Sequence, residues 1–375
     1  MELDITWFLL GLPLAFVLGW LASRLDLRQL RIDNRRSPKA YFKGLNHLLN
    51  EQQDEAIDAF IEAVQKDPDT SELHFALGNL FRRRGEYDRA VRVHEHLLAR
   101  GDLAGPEHER AQHALALDYL QAGLLDRAED ALGKLEGGKF ETQARLARLA
   151  IYERTRDWPQ AERVAQQLQT SGHGDFSTRA AHYLCEQATA QPPDEQRATL
   201  LKAMSLAPQS GRAHMALAEL AKRSGDMNEA FNRLLAGIKS APSATPLIAN
   251  DLAQLAIQTE RQSEALPVLQ ALYDTTHSLD VSQALAKLRS SADGEGALQA
   301  QQLAHLQREP SLVIAADWLK AQGMQADVQR ALDKATKPLM RYRCASCGFE
   351  ASQHFWHCPG CQSWDSYSTR RVEEL

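Results

Sequence analysis

The feature that most restricts the fold of this chain is a repeat. Registers opening at residues 37, 71, 109, 142, 177, 211 and 246 follow one another at intervals of 34, 38, 33, 35, 34 and 35. The eighth position is small at Gly44, Gly78, Ala116, Ala218 and Ala253, and larger at Leu149 and Leu184. The twentieth is Ala56, Ala90, Ala128, Ala161, Ala230 and Ala265, broken only by Gln196. Proline stands at the thirty-second position as Pro68, Pro208 and Pro242. Such self-similarity means one supersecondary unit that buries its apolar face only by stacking on copies of itself. Aromatic residues are 7% of the chain, while Ala, Leu, Gln and Arg fill long stretches. That composition favours helix and disfavours a large β-sandwich or barrel.

Two antiparallel helices per repeat explain the pattern. Small side chains at the eighth and twentieth positions are expected to meet where the helices cross closely. The prolines end the second helix. Gly85, Gly123 and Gly225 fall at the inter-helix turn, where a left-handed residue stops a helix. The stretches GNLFRRRGEYDRAVRVHEHLL and ALDYLQAGLLDRAEDALGKL resemble the tetratricopeptide repeat, although the first tryptophan of that pattern is replaced, for example by Ala40 and His74. The resemblance covers residues 37–275. Apolar spacing in residues 276–336 predicts one or two further irregular repeats, giving an all-α superhelix over 37–336. A groove of stacked helices binds a peptide or protein segment and has no chemistry of its own. Asn79, Arg82 and Arg83 are candidate groove residues for an acidic or backbone-rich segment; the competing reading is a solvated helix face. His94, His96, His108 and His113 lack ligand spacing and are expected on helix surfaces.

Residues Ile5–Ser23, ITWFLLGLPLAFVLGWLAS, are free of charge. As a helix they span roughly 28 Å, the thickness of a bilayer's hydrocarbon core. Trp7 and Trp20 stand near the two ends, where amphipathic rings favour the interface. Glu2 and Asp4 precede the segment, which argues against a cleaved signal peptide. Residues 1–23 therefore read as a transmembrane anchor and 24–36 as a basic juxtamembrane linker. From Arg24 to Lys43 there are seven basic and two acidic residues, so the bulk of the chain is expected on the cytoplasmic side of a single-pass protein. The whole chain is acidic, with 43 Lys and Arg against 49 Asp and Glu, which disfavours a nucleic-acid partner.

Residues 337–375 form a third part. Cys344 and Cys347 make one C-x-x-C, and Cys358 and Cys361 a second. Two such hairpins direct four thiolates at one metal ion. A redox dithiol pair or disulfide is disfavoured in a reducing compartment. The knuckles C-x-x-C-G and C-P-x-C resemble those of rubredoxin, though ten residues between Cys347 and Cys358 make a short loop. Iron follows from that resemblance, and zinc fits the same donors. So small a domain depends on its metal for stability. Phe355, Trp356, Trp364 and Tyr367 are expected to pack it and dock it on the last repeat helices. Cys185, alone in a repeat helix, reads as a small buried hydrophobe.

Anchor, tetratricopeptide array and rubredoxin-like knuckle, in that order, resemble the lipopolysaccharide assembly protein B (LapB/YciM) family over the full length. The resemblance implies a non-enzymatic inner-membrane adaptor that regulates lipopolysaccharide synthesis and scaffolds envelope assembly proteins. It implies as partners the membrane protease FtsH, the lipid A deacetylase LpxC as proteolytic client, and a PbgA/YejM-type regulator. The residues themselves show no nucleophile elbow, phosphate-binding glycine loop or metal-hydrolase motif. The alternative reading is a rubredoxin-like electron-transfer protein at the membrane.

Overall fold

The computed structural model describes residues 16–18, 20 and 39–375. It divides into two compact units, 1–151 and 152–375. Of the expected anchor only Phe16–Leu18 and Trp20 are described, as helix, and all four are exposed. The rest of that segment and the whole 24–36 linker lie outside the described residues. Among the described residues no helix is long and apolar enough to cross a membrane.

The first unit contains helices α1 (Lys39–Leu49), α2 (Gln53–Lys66), α3 (Ser71–Arg84), α4 (Tyr87–Leu98), α5 (Gly105–Gln121) and α6 (Leu125–Gly133), and the start of α7 (Glu141–Thr155). Each of the first five packs on the next in sequence. One apolar cluster joins Ala56, Ile57, Phe60 and Ala63 of α2 to Leu73, Leu77, Leu80 and Phe81 of α3 and Ala90 of α4. A second joins Leu115, Ala116 and Tyr119 to Ala128, Ala131 and Leu132. Every core is thus shared between adjacent helices, as the period demands.

The helices of a repeat approach closely at the eighth position. A Cβ on Gly44 would lie 2.7 Å from the Phe60 ring, and one on Gly78 would lie 2.5 Å from the His94 ring. The eighth position therefore faces the twenty-fourth, where a large side chain stands. The alanines at the twentieth position are all fully buried, and Ala128, Ala230 and Ala265 share apolar clusters with Ala116, Ala218 and Ala253 of the eighth. The turn residues behave as expected. Gly85 has φ +84°; its N–H donates to Arg82 O, and that of Glu86 to Phe81 O. Gly123 and Gly225 also adopt positive φ. The same place in other repeats is left-handed at Glu51, Arg156 and Glu260, without glycine.

The second unit takes the end of α7 and then α8 (Trp158–Thr170), α9 (Ser177–Ala188), α10 (Pro193–Leu206), α11 (Gly211–Arg223), α12 (Met227–Ser240), α13 (Thr245–Gln258), α14 (Gln262–Thr276), α15 (Leu279–Asp293), α16 (Glu295–Arg308), α17 (Leu312–Ala321) and α18 (Ala326–Thr336). The stretch after residue 276 is two further hairpins, α15–α16 and α17–α18. Cys185 is buried among Ala181, Leu184, Ala188 and Leu200, and burial pushes its thiol pKa up to about 11. A small antiparallel ladder follows, β1 (Tyr342–Arg343) against β2 (Glu350–Ala351).

Candidate metal centre and its seat

The two C-x-x-C turns are built alike. Gly348 N–H donates to Cys344 O, and Gln362 N–H to Cys358 O, each at 2.9 Å. Both closing residues have positive φ, 77° at Gly348 and 59° at Gln362. Gly360 serves another purpose: a Cβ there would sit 3.4 Å from Phe349 Cβ and 3.5 Å from Cys347 Sγ, so its bareness keeps the knuckles close.

The four sulfurs lie within 4.8 Å of one another. Cys344 and Cys361 Sγ are 3.8 Å apart, and Cys347 and Cys358 Sγ are 3.7 Å apart. A tetrahedron with metal–sulfur bonds of about 2.3 Å has edges of roughly 3.8 Å, so these residues fit one tetrahedral ion. Cys344 and Cys358 are buried, whereas Cys347 and Cys361 are exposed. Burial opposes ionisation of Cys344, yet hydrogen bonds with Ser366 and the 346 and 347 amides hold its pKa down at about 6. An ion there would be held by Cys344, Cys347, Cys358 and Cys361 and would tie the two turns together.

The ribbon is seated on the repeats, and not only on the last ones as the sequence suggested. Trp364 stacks on His357 of the ribbon at 4.4 Å and on His182 of α9 at 5.1 Å. It meets Trp158 of α8 and Tyr183 of α9 edge-on. Its indole N–H donates to Glu153, which also accepts from Arg179 through two bonds and from the Tyr183 hydroxyl. Asp365 accepts from His182 Nε2 at 2.9 Å. Trp356 reaches the His182 ring as well. Phe355 and Tyr367 stay inside, packing with Tyr342, Cys344 and Cys358 against Leu247 of α13. His354 is enclosed by Tyr342, Trp356 and Tyr367, and burial lowers its pKa to about 4.

The receiving residues Glu153, Trp158, His182 and Tyr183 were not legible as a site. Their partners lie far away in sequence, and no local spacing marks them. The sole hint was tryptophan at 158 and 364 in a chain poor in aromatics.

The candidate groove residues all belong to α3 in the first unit. Arg82 Nη1 donates to Asp118 at 2.7 Å and to Ala114 O, and its other arm bonds Asn79. Asp118 is fully buried and also bonds His94 Nδ1. His94 is therefore an interior residue and not the surface histidine expected. Arg83, by contrast, is exposed. The structure thus gives Arg82 and Asn79 a packing role and leaves Arg83 on the surface.

These features define a tetratricopeptide-type helical repeat protein carrying a rubredoxin-like metal ribbon folded back on its own hairpins. Family matches agree: residues 342–367 match the rubredoxin metal binding domain, and 73–106 the tetratricopeptide repeat. Lipopolysaccharide assembly protein B of Escherichia coli K12 is 33% identical over 380 residues, 95% of each chain. Its namesake in Haemophilus influenzae Rd is 29% identical, covering 95% of this chain and 96% of its own. A solved tetratricopeptide repeat protein from Parabacteroides merdae covers 80% of this chain and 97% of its own at 14% identity, with a TM-score of 0.31. The chain belongs to the lipopolysaccharide assembly protein B family.

Proposed function

We propose that this protein is a membrane-tethered, non-enzymatic adaptor in lipopolysaccharide assembly. The observation that carries this reading is the pairing of helical hairpins with a docked metal ribbon in a chain colinear with lipopolysaccharide assembly protein B. Stacked hairpins and a four-cysteine ribbon are parts for holding other proteins. The apolar segment 5–23 would anchor the chain in the inner membrane with its bulk on the cytoplasmic side. Tethering raises the effective concentration of a soluble client beside a membrane protein. On this reading the client is LpxC, the membrane protease is FtsH, and a PbgA/YejM-type protein opposes them.

The test is recovery of partners from detergent-solubilised membranes, using the full chain and a chain lacking residues 1–23. Co-purification of a membrane protease and a lipid A deacetylase with the full chain is expected. Their absence would remove this reading. Exposure of Cys347 and Cys361 favours the second reading, electron transfer through iron. Zinc-loaded and iron-loaded protein should support client degradation equally if the site is structural. Activity with iron alone would favour the carrier.

A further inference from the structure

The last residues of the chain leave the ribbon and lie across the ends of the final hairpins. Thr369 donates to Ser243 O, just before α13, and Arg370 to Thr276 O at the end of α14. Arg371 forms a two-pronged pair with Asp280 of α15, at 2.8 and 2.9 Å. Asp280 is 1% exposed, so this cation enters a closed seat. Val372 and Glu373 N–H donate to Arg341 O and Leu339 O.

The two carboxylates that follow occupy separate helix ends. Glu374 accepts from Leu279 N–H at 3.0 Å, the first residue of α15. Glu373 accepts from Val313 N–H of α17 at 3.0 Å and from Ser311 Oγ at 2.7 Å. Ser278 precedes α15 but makes no side-chain cap, and its hydroxyl is fully buried with no partner. A buried hydroxyl without a partner is costly. The free amides at a helix start favour an anion. Here neighbouring helices offer two such starts, at a spacing that takes consecutive glutamates, beside one buried aspartate that takes arginine.

We propose that the ends of α15 and α17, with Asp280, form a peptide-recognition seat for a segment reading Arg-x-Glu-Glu. The chain's own Arg371–Glu374 is its resident ligand. A partner segment of the same chemistry takes the seat by displacing that tail. The inference goes beyond the adaptor reading and does not rest on it. The ribbon adds one wall to the seat, since the Arg371 guanidinium lies 4.0 Å over the ring of Tyr342 and donates to Met340 O, so the test uses metal-loaded protein.

A fluorescein-labelled peptide of residues 368–375 tests this with full-length protein. E373Q/E374Q in the chain weakens the resident tail. That variant should bind the native peptide roughly tenfold more tightly than wild type does, the size expected for losing charge-assisted bonds. A peptide carrying the same two glutamines should bind neither chain, and adding D280N to the variant should abolish capture. Wild-type protein supplies a second measurement. Excess native peptide should speed amide exchange of residues 369–375 in the chain, and the glutamine peptide should not. Equal behaviour of the two peptides, or no effect of either on a folded, metal-loaded chain, would overturn the proposal.

Discussion

Trp364 donates its indole N–H to Glu153 Oε1 at 2.9 Å, across 211 residues of sequence. Glu153 is largely buried and serves Arg179 and Tyr183 at the same time. One carboxylate therefore ties a helix end, a neighbouring hairpin and the metal ribbon together.

Trp364→Phe keeps much of the ring contact and removes the donor. It should cost about 1–3 kcal/mol, because a buried acceptor loses a partner. Glu153→Ala should cost more, about 2–4 kcal/mol, since it leaves both the buried Tyr183 hydroxyl and the Trp364 indole N–H without their acceptor. Amide exchange over residues 342–367 should accelerate in both while the bound metal is retained. Unchanged exchange would show that the dock rests elsewhere.

Cys344→Ser or Cys358→Ser should abolish stoichiometric metal, because an alcohol is a poor ligand for zinc or iron beside three thiolates. The ribbon should then lose its exchange protection. The helical circular dichroism should be nearly unchanged, since each hairpin is held by its neighbours. Metal per chain and far-ultraviolet spectra decide it, and collapse of the helical signal would contradict the separation.

Arg82 and Arg83 are adjacent but predicted to behave differently. Arg82→Ala leaves Asp118 buried beside His94 without its guanidinium and should cost about 3 kcal/mol. Arg83→Ala, on an exposed position, should change stability by less than about 0.5 kcal/mol. Denaturant midpoints of the two variants measure the contrast. A loss of partner recovery in Arg83→Ala at normal stability would mark that residue as part of a binding face.

Burial lowers the imidazole pKa values of His74, His113, His214 and His305. The unfolded chain, titrating near 6.5, then takes up protons before the folded one does. Their contribution is fully present above that value and is lost as pH falls below it. Unfolding midpoints should therefore drop between roughly pH 7.5 and pH 5.5, and a flat profile would refute the assignment.

The sequence by itself determined the hairpins and the metal ligands. Glycine at position 85 ends a helix through its own backbone freedom, and a spacing of three residues with a tight turn between them brings the thiols of Cys344 and Cys347 to one site. Both are local, so spacing reveals them. It also placed the alanines of the twentieth position in the interior, but not the large rings beside the eighth: Gly44 opposes Phe60 and Gly78 opposes His94. That pairing depends on the angle at which two helices cross, which a period does not specify. The burial of His94 beside Asp118, the seat of Trp364 on Glu153 and the pairing of Arg371 with Asp280 were decided only by the tertiary structure. In each case a charge or polar group far along the chain satisfies another inside a low-dielectric contact. Nothing near either residue in sequence records such a partner, because the free energy of the pair arises only once both have been removed from water.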